Sequence, residues 1–182
     1  LYFHTLFWPA MLDAAEFKKP TKVNVHGFLT VNGEKMSKSR GTFILARDYA
    51  STLEPGLLRY YYASKLSGSV DDIDLNLEDF VFKVNSDVVG KVINIGSRLG
   101  SITTKKLGGK LSKPDTEGQA LLKTILDSKE SIHNYYDSLS FNKAMMEIMR
   151  LADDVNKYIN DNAPWSLTGE NPEKALAICT TG

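Results

Sequence analysis

Between Gly33 and Gly41 stand Lys35, Ser37, Lys38 and Ser39, two compact cations and two hydroxyls within VNGEKMSKSRG. Each ammonium is a rotatable point charge, and the two glycines let the loop move as a flap. Such a loop suits a polyphosphate, whose negative charge shifts during nucleotidyl transfer and must be met as it develops. A solvated surface hairpin uses the same residue types. Asn32-Gly33 marks the turn, because both residues tolerate positive φ. His26 and Gly27 come just before it, His26 either near a ligand or making an ordinary strand hydrogen bond.

Three further sets could bind something. His4 and Trp8 share one helical face; an indole wall suits a thioether and an imidazole can hydrogen-bond its sulfur weakly, or both residues pack a core. Asn94 and Arg98, four apart, flank an apolar helical stripe. There an amide and a guanidinium either hydrogen-bond the edges of unstacked bases or simply face water. Trp165, after Pro164 at a helix break, either stacks a base or lids the core. Pro164 favours display, because it fixes the chain direction there.

Positioning these groups requires a short helix over the first residues, which Pro9 is expected to kink or end. TKVNVHGFLTV alternates and is rich in β-branched residues, predicting a strand that leads into the turn. Residues 47–66 read as helical with Pro55 near a start, and SGSVDDIDLN as a polar connector holding helix N-caps. Val81, Val84, Val88, Val92, Ile95 and Leu99 recur at spacings of three and four, one face of a long helix from residue 77. Helices are predicted over roughly 117–137 and 141–160, with APW as a break and a fourth helix beginning near NPEKALAI. A small mixed α/β part up to about residue 75 therefore precedes an all-helical part.

Composition narrows the class. The chain has 182 residues, with 22 acidic and 22 basic ones, so no global field favours nucleic acid and an anionic partner must be met locally. The single cysteine, Cys179, excludes a disulfide framework and a cysteine-rich zinc knuckle, and fits a reducing, cytosolic setting. No apolar run approaches membrane-spanning length. Both ends read as helical sequence cut mid-element, so the chain is expected to be a piece of a longer protein.

KMSKS at 35–39 resembles the second signature of the class I aminoacyl-tRNA synthetases. FHTLFWPAML (3–12), VHGFLTVNGEKMSKSRGTFI (25–44), LRYYYASKL (58–66), DDIDLNLEDF (71–80) and NDNAPW (160–165) are similar to the bacterial methionyl-tRNA synthetase family. The resemblance implies the end of a Rossmann-like class I nucleotide-binding domain (1–30), then the KMSKS loop and a connecting, stem-contacting module (31–75). An all-α anticodon-binding helical bundle (76–182), truncated, would follow. It further implies ATP with Mg2+, methionine and tRNA(Met) as substrates, no metal site within this chain, and a cytoplasmic enzyme that forms methionyl-adenylate and charges the tRNA. Lys35 and Lys38 would be catalytic; Lys38, Ser37, Ser39, His26 and Gly27 would lie at ATP; His4 and Trp8 at methionine; and Asn94, Arg98, Pro164 and Trp165 at the anticodon. The first class signature, a His-x-Gly-His stretch, is absent, so the chain alone is expected to be inactive. The competing expectations are a tRNA-binding module without catalysis and a valine, leucine or isoleucine class I synthetase.

Overall fold

A computed structural model describes residues 2–37, 39 and 41–182. The protein is mostly helical with one small mixed sheet. A wide-turn π segment, Phe3–Phe7, runs into α1 (Trp8–Ala14). After β1 (Leu29–Val31) and β2 (Glu34–Lys35) come α2 (Ala46–Thr52), α3 (Pro55–Lys65) and β3 (Ile73–Leu75). Then follow α4 (Leu77–Lys83), a second π segment (Val84–Ile93) and α5 (Asn94–Lys106). The chain closes with α6 (Thr116–Asp127), α7 (Lys129–Asp137), α8 (Phe141–Asn162), α9 (Pro164–Leu167) and α10 (Pro172–Thr181).

The sheet is ordered β2-β1-β3. β1 and β2 form the expected hairpin, pairing Val31 with Glu34 antiparallel across Asn32 (φ 49°) and Gly33 (φ 78°). Two central residues at positive φ match the right-handed twist of the flanking strands. β3 runs parallel to β1 in the register Leu29 to Ile73 and Val31 to Leu75. It was hidden inside the polar connector: Ile73 and Leu75 are buried, but the alternation lasts only three residues. The strand expected over 21–31 shrinks to its last three residues. Val23 and Val25 are exposed, and among the described residues no strand pairs with 22–28.

Pro9 does not end the first helix. It lies within a continuous helical stretch, at the junction of the wide-turn segment and α1, where the preceding Trp8 N–H closes a wide turn onto Phe3 O. The long helix from residue 77 is present but its register changes at the second π segment. Bonds of the i→i+5 type rotate successive side chains less per residue, so the three-and-four stripe drifts. Along the segment Val84 is buried, Val88 half-buried and Val92 exposed, before Leu99 is buried again; Val81, ahead of the segment, is exposed as well. The helix expected over 117–137 is almost unbroken, with a joint at Ser128 between α6 and α7. The break at APW is a left-handed Ala163 (φ 40°) ending α8, with Pro164 opening α9. Side chains of Glu54, Asn76, Asp115 and Asn171 cap α3, α4, α6 and α10.

Two cores hold this together. Val31, Tyr61, Leu75, Phe80 and Val84 pack the sheet against α3 and α4. Leu99, Val155, Tyr158, Ile159, Ile178 and Cys179 form the centre of the helical part. Ile159 and Ile178 have no exposed surface, each worth about 1.5–3 kcal/mol of transfer free energy. Polar contacts join the cores: Asn142 N donates to Leu66 O (2.9 Å), Lys91 pairs with Asp153 (2.7 Å), and Asn156 Nδ2 donates to Lys91 O (3.2 Å).

Candidate nucleotide loop and RNA face

The cation-bearing loop grows from a firmly rooted hairpin. Asp74 on β3 accepts from Thr30 Oγ1 (2.6 Å) and from the Gly33 N–H at the turn (2.8 Å). Asn32 Oδ1 accepts from Leu77 N (3.1 Å), so the turn residue also satisfies a free donor at the start of α4. Thr42 closes the far side. Its hydroxyl donates to Lys35 O (3.0 Å) and accepts from Ser37 N (3.0 Å). Ser37 and Ser39 hydroxyls meet at 3.0 Å, and Gly41 turns the chain at φ 71°. Lys35 Nζ lies 5.7 Å from the Phe28 ring centroid, a cation–π contact that leaves the exposed ammonium available to an anion. Lys38 lies outside the described residues.

Gly27 is fixed by close packing. A Cβ there would stand 2.3 Å from Asp71 O and 2.5 Å from Asp72 N, so only glycine lets the two segments touch. Phe28 N donates to Asp72 Oδ1 in the same contact (2.8 Å). His26 is exposed and lies in no strand; its Nδ1–H donates to Gly27 O (2.7 Å). His26 also lines a cleft of about 430 Å³ with Lys22, Val25, Leu66, Leu139 and Phe141. None of Lys35, Ser37 and Ser39 lines that cleft.

His4 and Trp8 stay on an open helical face. Trp8 is 51% exposed, and Phe3, Phe7 and Met11 around it are exposed as well. No element among the described residues buries this face, so the two are neither core residues nor walls of a closed pocket here.

At the other end the structure brings separated residues together. Arg98, on α5, lies over the Trp165 ring, 4.8 Å from the centroid, and donates from Nη2 to Asn160 Oδ1 (2.9 Å). Trp165 is 40% exposed. Pro164 is fully buried, which leaves it no surface for a base; its effect on the site is to fix Trp165 at the helix break. Asn94 stands one turn before Arg98, half-buried, and its side-chain amide makes no hydrogen bond among the described residues.

Comparison with known proteins decides the kinship. The family described as tRNA synthetases class I (M) matches residues 1–100, more than half of the chain. The chain belongs to this family. A curated relative, the methionine–tRNA ligase of Bdellovibrio bacteriovorus, is 56% identical over 179 residues, covering 98% of this chain and 26% of the relative. The chain therefore spans about a quarter of the length of that curated relative. Among solved structures, Mycobacterium tuberculosis methionyl-tRNA synthetase in complex with methionyl-adenylate aligns at a TM-score of 0.82 with 29% identity, over 99% of this chain and 36% of that one. Its apo form aligns at 0.77 with 25% identity, over 99% of this chain and 35% of that one. The class I synthetase fold thus accounts for the helical architecture and the small sheet.

Several groups at these sites escaped sequence reading. Asp74 and Thr42 root the cation-bearing loop and Asn160 joins Arg98, while Gly27, named from the sequence, has a packing role that its residue type alone did not disclose. Asp79 also escaped. It accepts from the buried Tyr61 hydroxyl (2.9 Å) and from Lys65 Nζ (2.6 Å). Those donors, Lys65 first, hold the Asp79 carboxyl below the usual carboxylate range, and the Asp79 partner raises Lys65.

Proposed function

We propose that the chain is part of a methionine–tRNA ligase, comprising the end of the class I catalytic domain, the connecting module and an anticodon-binding helical bundle. In this reading residues 1–30 close a Rossmann-like domain, 31–75 carry the KMSKS loop and the stem-contacting module, and 76–182 read the anticodon. The whole enzyme joins methionine to ATP, brought with Mg2+ as substrate, giving methionyl-adenylate and pyrophosphate. It then passes the methionyl group to the terminal ribose of tRNA(Met) in the cytoplasm. The relative solved with methionyl-adenylate supports that chemistry. Among the described residues no helix is long and apolar enough to cross a membrane.

The observation that carries the reading is the loop itself. Lys35, Ser37 and Ser39 are presented on a hairpin rooted by Asp74 and flanked by two positive-φ glycines. Charge passes to the leaving pyrophosphate during adenylate formation. A flap-borne ammonium at Lys35, with that of Lys38, stabilises this charge where it appears without holding the amino acid more tightly. Ser37, Ser39, His26 and Gly27 would flank the nucleotide, and His4 and Trp8 would wall the methionine side chain once their open face is covered by the rest of the enzyme. Asn94 and Arg98 would read the first base of a CAU anticodon, with Trp165 stacking beneath.

The test is pyrophosphate exchange in the full-length enzyme. Lys35→Ala combined with Lys38→Ala should slow adenylate formation by about 10²-fold or more, with little change in the KM for methionine. Unchanged exchange with weaker tRNA binding would instead favour an RNA-binding module without catalysis. The 182-residue chain alone should show no exchange.

A further inference from the structure

Asn160 belongs to none of the groups assigned above, yet its carboxamide oxygen takes the hydrogen bond from Arg98 at 2.9 Å. The same guanidinium covers the Trp165 ring at 4.8 Å. Three elements, α5, α8 and α9, therefore supply one stack of amide, guanidinium and indole. Trp165 remains 40% exposed, so the covered area is ring face at a surface, the kind of face on which a base stacks.

We propose that Asn160 is a positioning residue that parks Arg98 on Trp165, so that the free chain keeps its platform covered and an RNA base opens it by displacing the guanidinium. This rests on the anticodon reading above. An exposed cation–π contact is weaker than a base stacked on an aromatic ring, so the exchange runs toward the base. Displacement also releases the Arg98 donors. A base whose edge offers matching acceptors takes them up, whereas one without acceptors leaves the guanidinium unpartnered. Parking thus turns a sequence-tolerant stacking surface into a selective one, because every base must break the Arg98 contacts and only some replace them.

The experiment uses the 182-residue chain carrying Trp8→Phe, which leaves Trp165 as its one indole, titrated with a short RNA hairpin whose loop contains CAU and with the same hairpin abasic at the first of those positions. Asn160→Ala should tighten CAU binding by about two- to fivefold, the share of affinity held back by the parked contact. In an Arg98→Ala background the same substitution should change nothing, a coupling that a merely structural role would not produce. Without RNA, Asn160→Ala and Arg98→Ala should shift Trp165 emission in the same direction. Weaker or unchanged CAU binding in Asn160→Ala, or an equal effect with and without Arg98, overturns the proposal. Equal binding of the CAU and abasic hairpins by the parent chain overturns the anticodon reading and displacement by a base with it. The emission measurement, which needs no RNA, separately decides whether Asn160 holds Arg98 on the ring.

Discussion

Asp74 shows how one carboxylate sets the geometry of the candidate loop. Its Oδ1 accepts from both the Thr30 hydroxyl and the Gly33 amide, joining the centre of the sheet to the tip of the hairpin. Asp74→Ala strands both donors and should cost about 1–3 kcal/mol of stability. Asp74→Asn keeps a carbonyl oxygen in the same place and should cost clearly less; urea unfolding of the two variants measures the difference. This residue was not legible in the sequence, where it stands in a run of aspartates that reads as solvated connector. What was legible was the turn it serves: Asn32-Gly33 adopts the two positive φ values that their residue types allow. The pairing of Arg98 with Trp165 lay between these cases. Each residue stood out by type, but their meeting depends on how α5 packs beside the α8–α9 break, which spacing within a single helix does not disclose.

Elements were legible where one period persisted and illegible where it changed. α8 keeps Met145, Val155 and Ile159 on one buried stripe over its whole length, and its expected range falls within two residues of the observed one. The helix through residues 77–106 begins as expected but runs on to Lys106, past Leu99, the last residue of the expected stripe; its wide middle segment also changes which valines point inward, and no residue type announces such a change. β3 was lost because three residues are too few for alternation to register. The same part of the fold carries a pH signature. Asp79, on α4, ties α3 in place through Tyr61 and Lys65, and its folded carboxyl titrates below its unfolded value of about 3.9. Its stabilisation is therefore complete above that unfolded value and disappears as pH falls through the lower folded one. Lys65, raised by the same pairing, contributes below its unfolded value and loses that contribution as pH rises through its folded one. Urea midpoints measured across the acid range should fall more steeply in the parent chain than in Asp79→Asn, which has no carboxyl to protonate at this site.

At the scale of the whole molecule, stability and the open apolar surface lie in different places. The two cores are joined by α3, α8 and the helix through 77–106, and the buried residues of the chain belong to this body. The N-terminal helix stands apart from it: Tyr2, Phe3, Leu6, Phe7, Trp8 and Met11 are all exposed, and neither of its segments holds a buried residue. Phe3 and Phe7 find mainly each other, with ring centroids 5.7 Å apart. A helix that buries nothing adds little to folding free energy, since helical stability in proteins comes mainly from packing an apolar face. It does present a contiguous apolar patch of a kind that promotes association. Removal of residues 1–20 should therefore leave the urea-unfolding free energy within about 0.5 kcal/mol of the parent chain, while sedimentation velocity shows less self-association. A loss beyond about 1.5 kcal/mol would mean that the helix packs on the cores after all. In the full-length enzyme the same helix is expected to have its apolar face covered, and there Phe7→Ala, which removes a large apolar side chain from that face, should destabilise by about 3–5 kcal/mol if the cover is complete. One substitution should thus have different consequences in the two contexts: nearly silent in this chain, and costly in the whole enzyme under the proposal that the face bearing His4 and Trp8 is covered there.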